Sequence, residues 1–289
     1  MDGYIGLAAA CAVCFGIGNS MQKHGMAAAF PQISLRRFAV ELPRIVATLL
    51  KNWVWLVGLG FAILGFICQG KSIDAPESKL AVIMPLLNLS TLVTSVIGVF
   101  LFKEKVAKAE WGGIAVITFG SVLVCAFDRG MGASGVNASL LKVCYGVGIV
   151  FMAALAGAST IGPTRKGAEM MLAVGSGLGF GMGAVALKML DLDLKVTAGG
   201  FNVTDPQFLV TFLTSANGWM LIVFNLAGFA LFQLSFAHGR ISLVGPFSQV
   251  FAMVIPVMAG VLAFRESLVA WQWVGIAIVA VGTFAVRGE

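Results

Sequence analysis

The chain has 289 residues, of which 59% are hydrophobic and only 11% are charged, and its mean hydropathy is +0.96. Soluble domains are about 45–50% apolar and about 25% charged, so this composition excludes a water-soluble fold. The net charge of +6 comes from lysines and arginines at the ends of apolar runs, which is typical of membrane-protein loops and does not indicate a nucleic-acid partner.

Nine apolar runs bounded by charged residues are predicted as membrane-spanning helices, because each approaches the roughly 20 residues that a bilayer requires. In chain order they are residues 3–22, 53–70, 80–102, 111–127, 141–161, 170–190, 218–237, 242–264 and 271–286. The first run lacks the basic segment of a cleavable signal, so we expect it to be retained as a span.

A tenth segment, residues 36–50, is short and is interrupted by Glu41, Pro43 and Arg44. Its hydropathy alone favours an amphipathic helix at the membrane surface. Glu41 and Arg44 are three residues apart and share one helical face. They therefore form either a coupling or gating pair inside a span or the charged face of an interfacial helix.

One motif occurs twice in the chain. In each copy a proline is followed three residues later by an amide side chain, and a basic-Glu pair is followed by glycines nine and sixteen residues after the Glu. The first copy is Pro85, Asn88, Lys103, Glu104, Gly113 and Gly120, and the second is Pro246, Gln249, Arg265, Glu266, Gly275 and Gly282. A weaker similarity links Lys23-His24-Gly25 with Arg165-Lys166-Gly167.

The duplication predicts an all-α integral membrane protein of ten transmembrane helices in two inverted five-helix repeats. The first repeat covers residues 1–128, a connecting loop covers 129–140, and the second repeat covers 141–289. Five is an odd number of spans, so the second repeat enters the membrane upside down, as in secondary transporters with a site near the midplane. Counting residues 36–50 as a span supplies the fifth helix of the first repeat.

The tandem Pro, acidic and Gly motif resembles that of the drug/metabolite transporter superfamily with its EamA-type ten-helix fold. Within it the chain is most similar to the NIPA-like magnesium transporters. The matching segments are Tyr4-Ile5-Gly6-Leu7, Trp53-Val54-Trp55 with Gly58, Ala75-Pro76, Gly162-Pro163 through Gly167, and Gln233. The resemblance implies membrane transport. One position departs from it, since Phe66 follows Gly65 where NIPA-like proteins carry an acidic residue.

Polar side chains at mid-depth are the candidate substrate-binding residues, because polar groups are costly in hydrocarbon. Asn88, Thr91 and Ser95 share one face of the predicted span at residues 80–102. The repeat places Gln249 opposite Asn88. Either this pair binds substrate or it joins helices by hydrogen bonds. Further candidates are Asn19, Gln69, Asn225 and Gln233, each of which alone is more typical of a helix-to-helix hydrogen bond.

Other features favour structural interpretations. Lys188 is expected to extend to the membrane interface, and Glu104 and Glu266 are expected to form solvated salt bridges at helix ends. Gly175, Gly179 and Gly183 recur every four residues, which predicts close helix packing.

The sequence has no paired carboxylates for acid-base catalysis and no phosphate-binding loop, so we expect no enzyme activity and no cofactor, and we assign no metal ligands. The first hypothesis is secondary transport of a small organic metabolite. The alternatives are a NIPA-like Mg²⁺ transporter and a lipid-handling or structural membrane protein. We expect a multi-pass protein of the cell inner (plasma) membrane, surrounded by the lipid bilayer, with a small-molecule or ion substrate, a homodimeric assembly and no nucleic-acid partner.

Overall fold

The computed structural model describes residues 3–29, 44, 47–103, 108–128, 135–161, 165–238 and 241–285. Apart from connecting turns, these ranges are helical. The helices are α1 (Gly3–Ala29), α2 (Trp53–Asp74), α3 (Leu80–Leu87), α4 (Ser90–Phe102), α5 (Lys108–Ala126), α6 (Ala138–Ile161), α7 (Arg165–Thr197), α8 (Pro206–Thr214), α9 (Ala216–His238), α10 (Ile241–Leu262) and α11 (Ala270–Ala285). All nine predicted apolar runs coincide with helices, and the run 80–102 divides into α3 and α4.

In the described part of the chain, six helical stretches are long and apolar enough to cross a membrane by length and composition, and three shorter apolar helices lie in α5, α10 and α11. Large apolar side chains cover the outside of the bundle. Phe100, Val150 and Leu226, for example, are 80%, 70% and 65% exposed. An apolar exterior around internally hydrogen-bonded helices fits a lipid environment, so the chain is an integral, multi-pass membrane protein.

The first two helices form an antiparallel pair. Near one end, the Ser72 hydroxyl donates to the Tyr4 carbonyl at 2.8 Å. Near the other end, the Asn52 amide donates to the Gly25 carbonyl at 3.0 Å, while its oxygen accepts from the Val54 N–H and caps α2. The end of α1 and the start of α2 therefore lie together.

This pairing bears on the predicted tenth span. Most of residues 36–50 fall outside the described residues, but their flanks, α1 and α2, meet at the same end of the bundle. The fifth span at residues 36–50 stays a prediction.

The contacts define two ends of the bundle. The Glu266 end holds Tyr4, Lys79, Asp128, Lys188 and Glu266, and the Gly25 end holds Gln22, Gly25, Asn52 and Gln233. With α3 and α4 taken as one pass, the helices in the described part of the chain run between these ends nine times. The short α8 lies at the Glu266 end, where Asp205 caps its start and Pro206 occupies its first turn.

The glycine-rich helix α7 is packed on two sides. A Cβ at Gly179 would come within 2.5 Å of the Gly228 Cα on α9, and one at Gly177 would come within 2.3 Å of the Ser248 carbonyl oxygen on α10. The predicted close packing is confirmed at Gly179. Gly177 lies between members of the predicted glycine series and packs on a different neighbouring helix.

The two copies of the sequence motif share a backbone feature and a helix contact. Lys103 and Arg265, which precede the two glutamates, both adopt left-handed conformations, with φ of 55° and 53°. Helices α5 and α11 pack on each other at Gly120 and Gly275, where a Cβ on either glycine would lie within 2.9 Å of the other's carbonyl oxygen.

Hydropathy underestimates the length of α7. The predicted span ends at residue 190, but the helix continues to Thr197 through Asp191, Asp193 and Lys195. These charged residues find partners in the folded protein, so they extend the helix instead of ending it. The helix α8 was also missed, because its nine residues are too few to be identified as a span.

Candidate functional site

The predicted span at residues 80–102 is interrupted at Asn88 and Leu89. The Asn88 N–H donates to the Pro85 carbonyl, and the Leu89 N–H donates to the Leu86 carbonyl, so each bond reaches back three residues instead of four. Helix α3 therefore ends near mid-depth, about 12 Å from its start at 1.5 Å per residue, and α4 begins at Ser90.

Asn88 is buried at this interruption, with 2% of its surface exposed. Its amide nitrogen makes one long hydrogen bond, 3.5 Å, to the Met84 carbonyl. Its amide oxygen has no hydrogen-bond partner. The neighbouring Pro85 carbonyl accepts a bond from the Ser121 hydroxyl on α5 at 3.0 Å. An acceptor without a donor in such a place is costly and can receive a donor from a ligand.

The other predicted members of this site are less enclosed. Thr91 and Ser95 on α4 and Gln249 on α10 are half-buried. Helix α3 packs on α10, so the helices that carry the two copies of the motif touch each other. The pairing of Asn88 with Gln249 stays a prediction.

A second amide pair joins α1 to α9 near the Gly25 end. The Gln233 amide nitrogen lies 3.5 Å from the Gln22 side-chain oxygen, and both residues are buried. The Gln233 oxygen has no hydrogen-bond partner. This residue was predicted as a site residue or a helix link, and the contact supplies the link while leaving one acceptor free.

The remaining amide candidates occupy separate positions. The Asn225 amide donates to the Leu221 carbonyl of its own helix at 2.9 Å and packs against Gly183. Gln69 is buried near the end of α2, and Asn19 is half-buried on α1. The structure therefore provides two amide positions, around Asn88 and around Gln233, instead of one collected site.

The predicted charged pair cannot be described as a pair. Glu41 lies outside the described residues. Arg44 is exposed, and its carbonyl accepts a bond from the Thr48 hydroxyl at 2.8 Å. A coupling or gating role for Glu41 and Arg44 stays a prediction.

Glu266 corrects one sequence interpretation. It was expected to be solvated at a helix end, but it is only 3% exposed. Its carboxylate accepts from the Leu80 N–H at 2.9 Å and the Ala81 N–H at 3.0 Å, and so caps the start of α3. Negative charge is favourable at a helix N-terminus. Burial raises the pKa of Glu266, while these backbone hydrogen bonds oppose the rise.

A buried ion pair lies beside this cap. Lys79 Nζ is 2.8 Å from Asp128 Oδ1, and both side chains are 1% exposed. The Tyr4 hydroxyl donates to the other Asp128 oxygen, and Lys79 also donates to the Ser267 carbonyl at 3.4 Å. The pair connects α1, the start of α3, the end of α5 and the segment before α11.

Lys188 corrects a second interpretation. It was expected to extend to the membrane interface, but only 4% of it is exposed. Its ammonium donates to the Ser78 hydroxyl at 2.9 Å, to the Ile73 carbonyl at 3.2 Å and to the Ser78 carbonyl at 3.4 Å. Lys188 thus fastens α7 to the connection between α2 and α3.

The burial of Lys79 and Asp128 could not be predicted from the sequence, because each of them lies directly beside an apolar run. Lys79 comes directly before a span and Asp128 directly after one, which is where charges normally meet water. Their separation of 49 residues gave no sign that they form a pair. Only the packing of α5 beside the start of α3 brings them together.

Comparison with known proteins gives one distant similarity. The chain is 29% identical over 94 residues to a probable 4-amino-4-deoxy-L-arabinose-phosphoundecaprenol flippase subunit, ArnE, of Pseudomonas savastanoi pv. phaseolicola (strain 1448A / Race 6). The similarity covers 29% of this chain and 76% of that relative. No family model matches the chain, and no solved structure matches it.

This similarity and the apolar helices support a coarse classification. The relative is named as a probable flippase subunit, and the described part of the present chain has several helices able to span a membrane by length and composition. Together they support a multi-pass membrane protein of the transporter class.

Proposed function

We propose that the chain is a secondary transporter of the drug/metabolite transporter kind, and that it moves a small neutral or zwitterionic organic metabolite. The observation that carries this proposal is Asn88, an amide that is buried at a helix interruption near mid-depth and whose oxygen lacks a donor. Interrupted helices with polar groups near the midplane are typical of transporter binding sites.

The proposed architecture has two inverted units joined by α6. Helix α1 pairs with α2 through Gly18 and Gly58, and α7 pairs with α9 through Gly179 and Gly228. This similarity makes α7 the counterpart of α1. In this proposal the first unit is the predicted first half, residues 1–128, and the second unit begins at α7. Four passes and one linking helix make an odd number of crossings. The second unit would therefore be upside down relative to the first, as in the predicted five-helix repeats.

Alternating access would follow from rocking of these units about their contacts. The contacts include Gly120 with Gly275 and the Glu266 cap on α3, each of which joins the first unit to the second. The Lys79 bond to the Ser267 carbonyl adds another link at the Glu266 end. We propose that substrate reaches Asn88 from this end when these polar links separate.

Uptake into proteoliposomes tests the proposal. The solutes are radiolabelled pools of amino acids, amines and nucleobases, and the proteins are wild type and Asn88→Leu. Thr118→Val is the matched control, because the Thr118 hydroxyl bonds only within its own helix, to the Ile114 carbonyl at 2.9 Å. The proposal expects saturable uptake of one pool by wild type and Thr118→Val and loss of uptake in Asn88→Leu. Equal uptake by Asn88→Leu would contradict it.

The similarity to ArnE favours a second candidate, movement of a lipid-linked substrate. In that case soluble solutes would not be taken up, and the protein would speed the exchange of a fluorescent polyprenyl phosphate between leaflets. Measuring both activities in the same vesicles separates the two candidates.

Magnesium transport remains the alternative implied by the NIPA-like resemblance. Within the described ranges no group of three or more His, Cys, Asp and Glu residues is arranged to hold a metal ion, and Phe66 stands where an acidic residue is expected. Mg²⁺ can still be carried with its waters on amide and carbonyl oxygens. A magnesium dye trapped in the vesicles tests this alternative directly.

A further inference from the structure

Asp191 on α7 is a buried carboxylate with an incomplete set of partners. None of its surface is exposed. Its Oδ2 atom accepts from Lys195 Nζ at 2.9 Å, one helical turn away, and its Oδ1 atom has no hydrogen-bond partner. An ionised carboxylate in a buried site needs a hydrogen-bond donor or a cation at both of its oxygens. The Oδ1 atom of Asp191 lacks one.

Among the described residues, the ammonium that pairs with Asp191 is shared with a second acid. Lys195 Nζ also lies 3.7 Å from Asp74 Oδ1 at the end of α2, and both of these side chains are about one third exposed. Two carboxylates therefore compete for one ammonium. Neighbouring acids in this arrangement hold a shared proton more readily than isolated ones do.

The nearby charges do not complete the site. Lys188 is one turn before Asp191 on α7, but its ammonium is directed to the Ser78 hydroxyl and to the Ile73 and Ser78 carbonyls. Glu266, in the α10–α11 connection, acts electrostatically on Lys188 and is occupied by the start of α3. Asp193 turns the other way, where it accepts from Asn217 at 2.9 Å and from Ser215.

The outer part of this cluster is partly exposed. Asp74 and Lys195 are partly exposed at the Glu266 end, and Asp191 lies behind them. The segment after α7 folds over Asp74, because Gly200 has a φ of +136° and its position leaves only about 3 Å between a Cβ and the Asp74 carboxylate. Asp191 therefore has a partly exposed acid and a partly exposed ammonium as its polar neighbours.

We propose that Asp191 is a proton-binding site that couples proton movement to transport. A proton from water at the Glu266 end adds to the Asp191 carboxylate, and Lys195 keeps its charge and pairs with Asp74. Helix α7 packs on both α9 and α10, so a change in charge at Asp191 acts on the helices that would move. The coupling role rests on the proposed transport function, whereas proton binding does not.

Infrared titration in nanodiscs tests proton binding directly. The carboxylic-acid C=O band is followed as pH is varied for wild type, Asp191→Asn and the matched control Asp193→Asn, a carboxylate on the same helix that has its own donors. We expect one titrating band to disappear in Asp191→Asn and to persist in Asp193→Asn. An unchanged set of titrating bands in Asp191→Asn would overturn the proposal.

A second variant covers the case in which Asp191→Asn does not fold. Lys195→Gln removes the ammonium, so the band is expected to titrate at a pH about one unit higher. An unchanged midpoint would overturn the proposal.

Uptake of the pooled solutes driven by a pH gradient then tests coupling. Wild type should respond to the gradient, and Asp191→Asn should lose at least tenfold of that response. Equal responses overturn the coupling role. A titrating Asp191 band in a protein that takes up no solute supports the proton site and tells against the transport function, so the two failures are distinguishable.

Discussion

Lys79 Nζ and Asp128 Oδ1 are 2.8 Å apart, and both side chains are 1% exposed. The lysine precedes α3 and the aspartate follows α5, so the pair holds two pass ends together. The Glu266 carboxylate, 3.0 Å from the Ala81 N–H, lies beside it. Lys79, Asp128 and Glu266 are therefore enclosed inside the protein instead of lying on a solvated rim.

Replacing either member of the pair should be strongly destabilising. Lys79→Ala or Asp128→Ala leaves an uncompensated buried charge, for which we expect a loss of about 3–5 kcal/mol. The Lys79→Met/Asp128→Leu double variant should lose less than either single variant, because it buries no charge. Thermal unfolding in detergent measures the effect, with exposed Lys142→Ala as the control. Single variants as stable as the control would contradict the buried ion pair.

Glu266→Ala should destabilise the protein, because it leaves the Leu80 and Ala81 N–H groups without acceptors. An unsatisfied buried donor costs about 1–3 kcal/mol. Glu266→Gln keeps one acceptor oxygen and should fall between wild type and Glu266→Ala. The order of the three melting temperatures checks this, and an alanine variant as stable as wild type would argue against the cap.

The pKa of Glu266 predicts a pH dependence. Burial raises this pKa above its ordinary value of 4.5, so the folded protein holds the proton more tightly than the unfolded chain does. Stability from this group is therefore lost as the pH rises from about the ordinary value through the raised one. Over that pH window the melting temperature of Glu266→Gln should rise relative to that of wild type. A constant difference between the two would count against the raised pKa.

Close packing of α7 on α9 should not tolerate a larger residue at Gly179. A Cβ there would approach the Gly228 Cα to 2.5 Å, so Gly179→Ala should cost about 1–3 kcal/mol through overpacking. Gly146→Ala is the control, since a Cβ at Gly146 meets nothing within 4 Å, and it should be neutral or stabilising by about 1 kcal/mol. Equal melting temperatures for the two variants would refute the contact.

Asn88→Leu separates a binding role from a structural one. Its amide oxygen has no partner, so an apolar side chain of similar size should leave the melting temperature unchanged or raise it slightly. A large fall in melting temperature, beyond that of Thr118→Val, would assign Asn88 to helix association instead.

The sequence predicts the helices better than the polar interior. Apolar runs locate every described long helix, because each pass must be about the thickness of the bilayer. The four-residue spacing of Gly175, Gly179 and Gly183 predicts the close packing found at Gly179. The buried charges were misread. Lys188 was expected at the membrane interface and Glu266 in water, and only tertiary contacts reveal that both side chains are enclosed.

The predicted tenth span depended on the sequence repeat and not on hydropathy. Residues 36–50 were counted because a five-helix repeat needed them, and this span stays a prediction because most of these residues lie outside the described part of the chain. Repeats in sequence do not state how many passes separate them. The candidate site is likewise only partly predictable, since Asn88 was chosen for its depth, whereas its unpartnered oxygen depends on the interruption after Pro85.

The most direct test of transport is uptake by purified protein in liposomes. Wild type and the Asn88→Leu/Gln249→Leu double variant are compared with protein-free vesicles, using radiolabelled pools of amino acids, amines and nucleobases and a trapped magnesium dye. We predict saturable uptake of one organic pool by wild type, little or no Mg²⁺ signal, and loss of uptake in a double variant that remains folded. Mg²⁺ flux without organic uptake, or full uptake by the double variant, would contradict an organic-metabolite transporter with its site at Asn88.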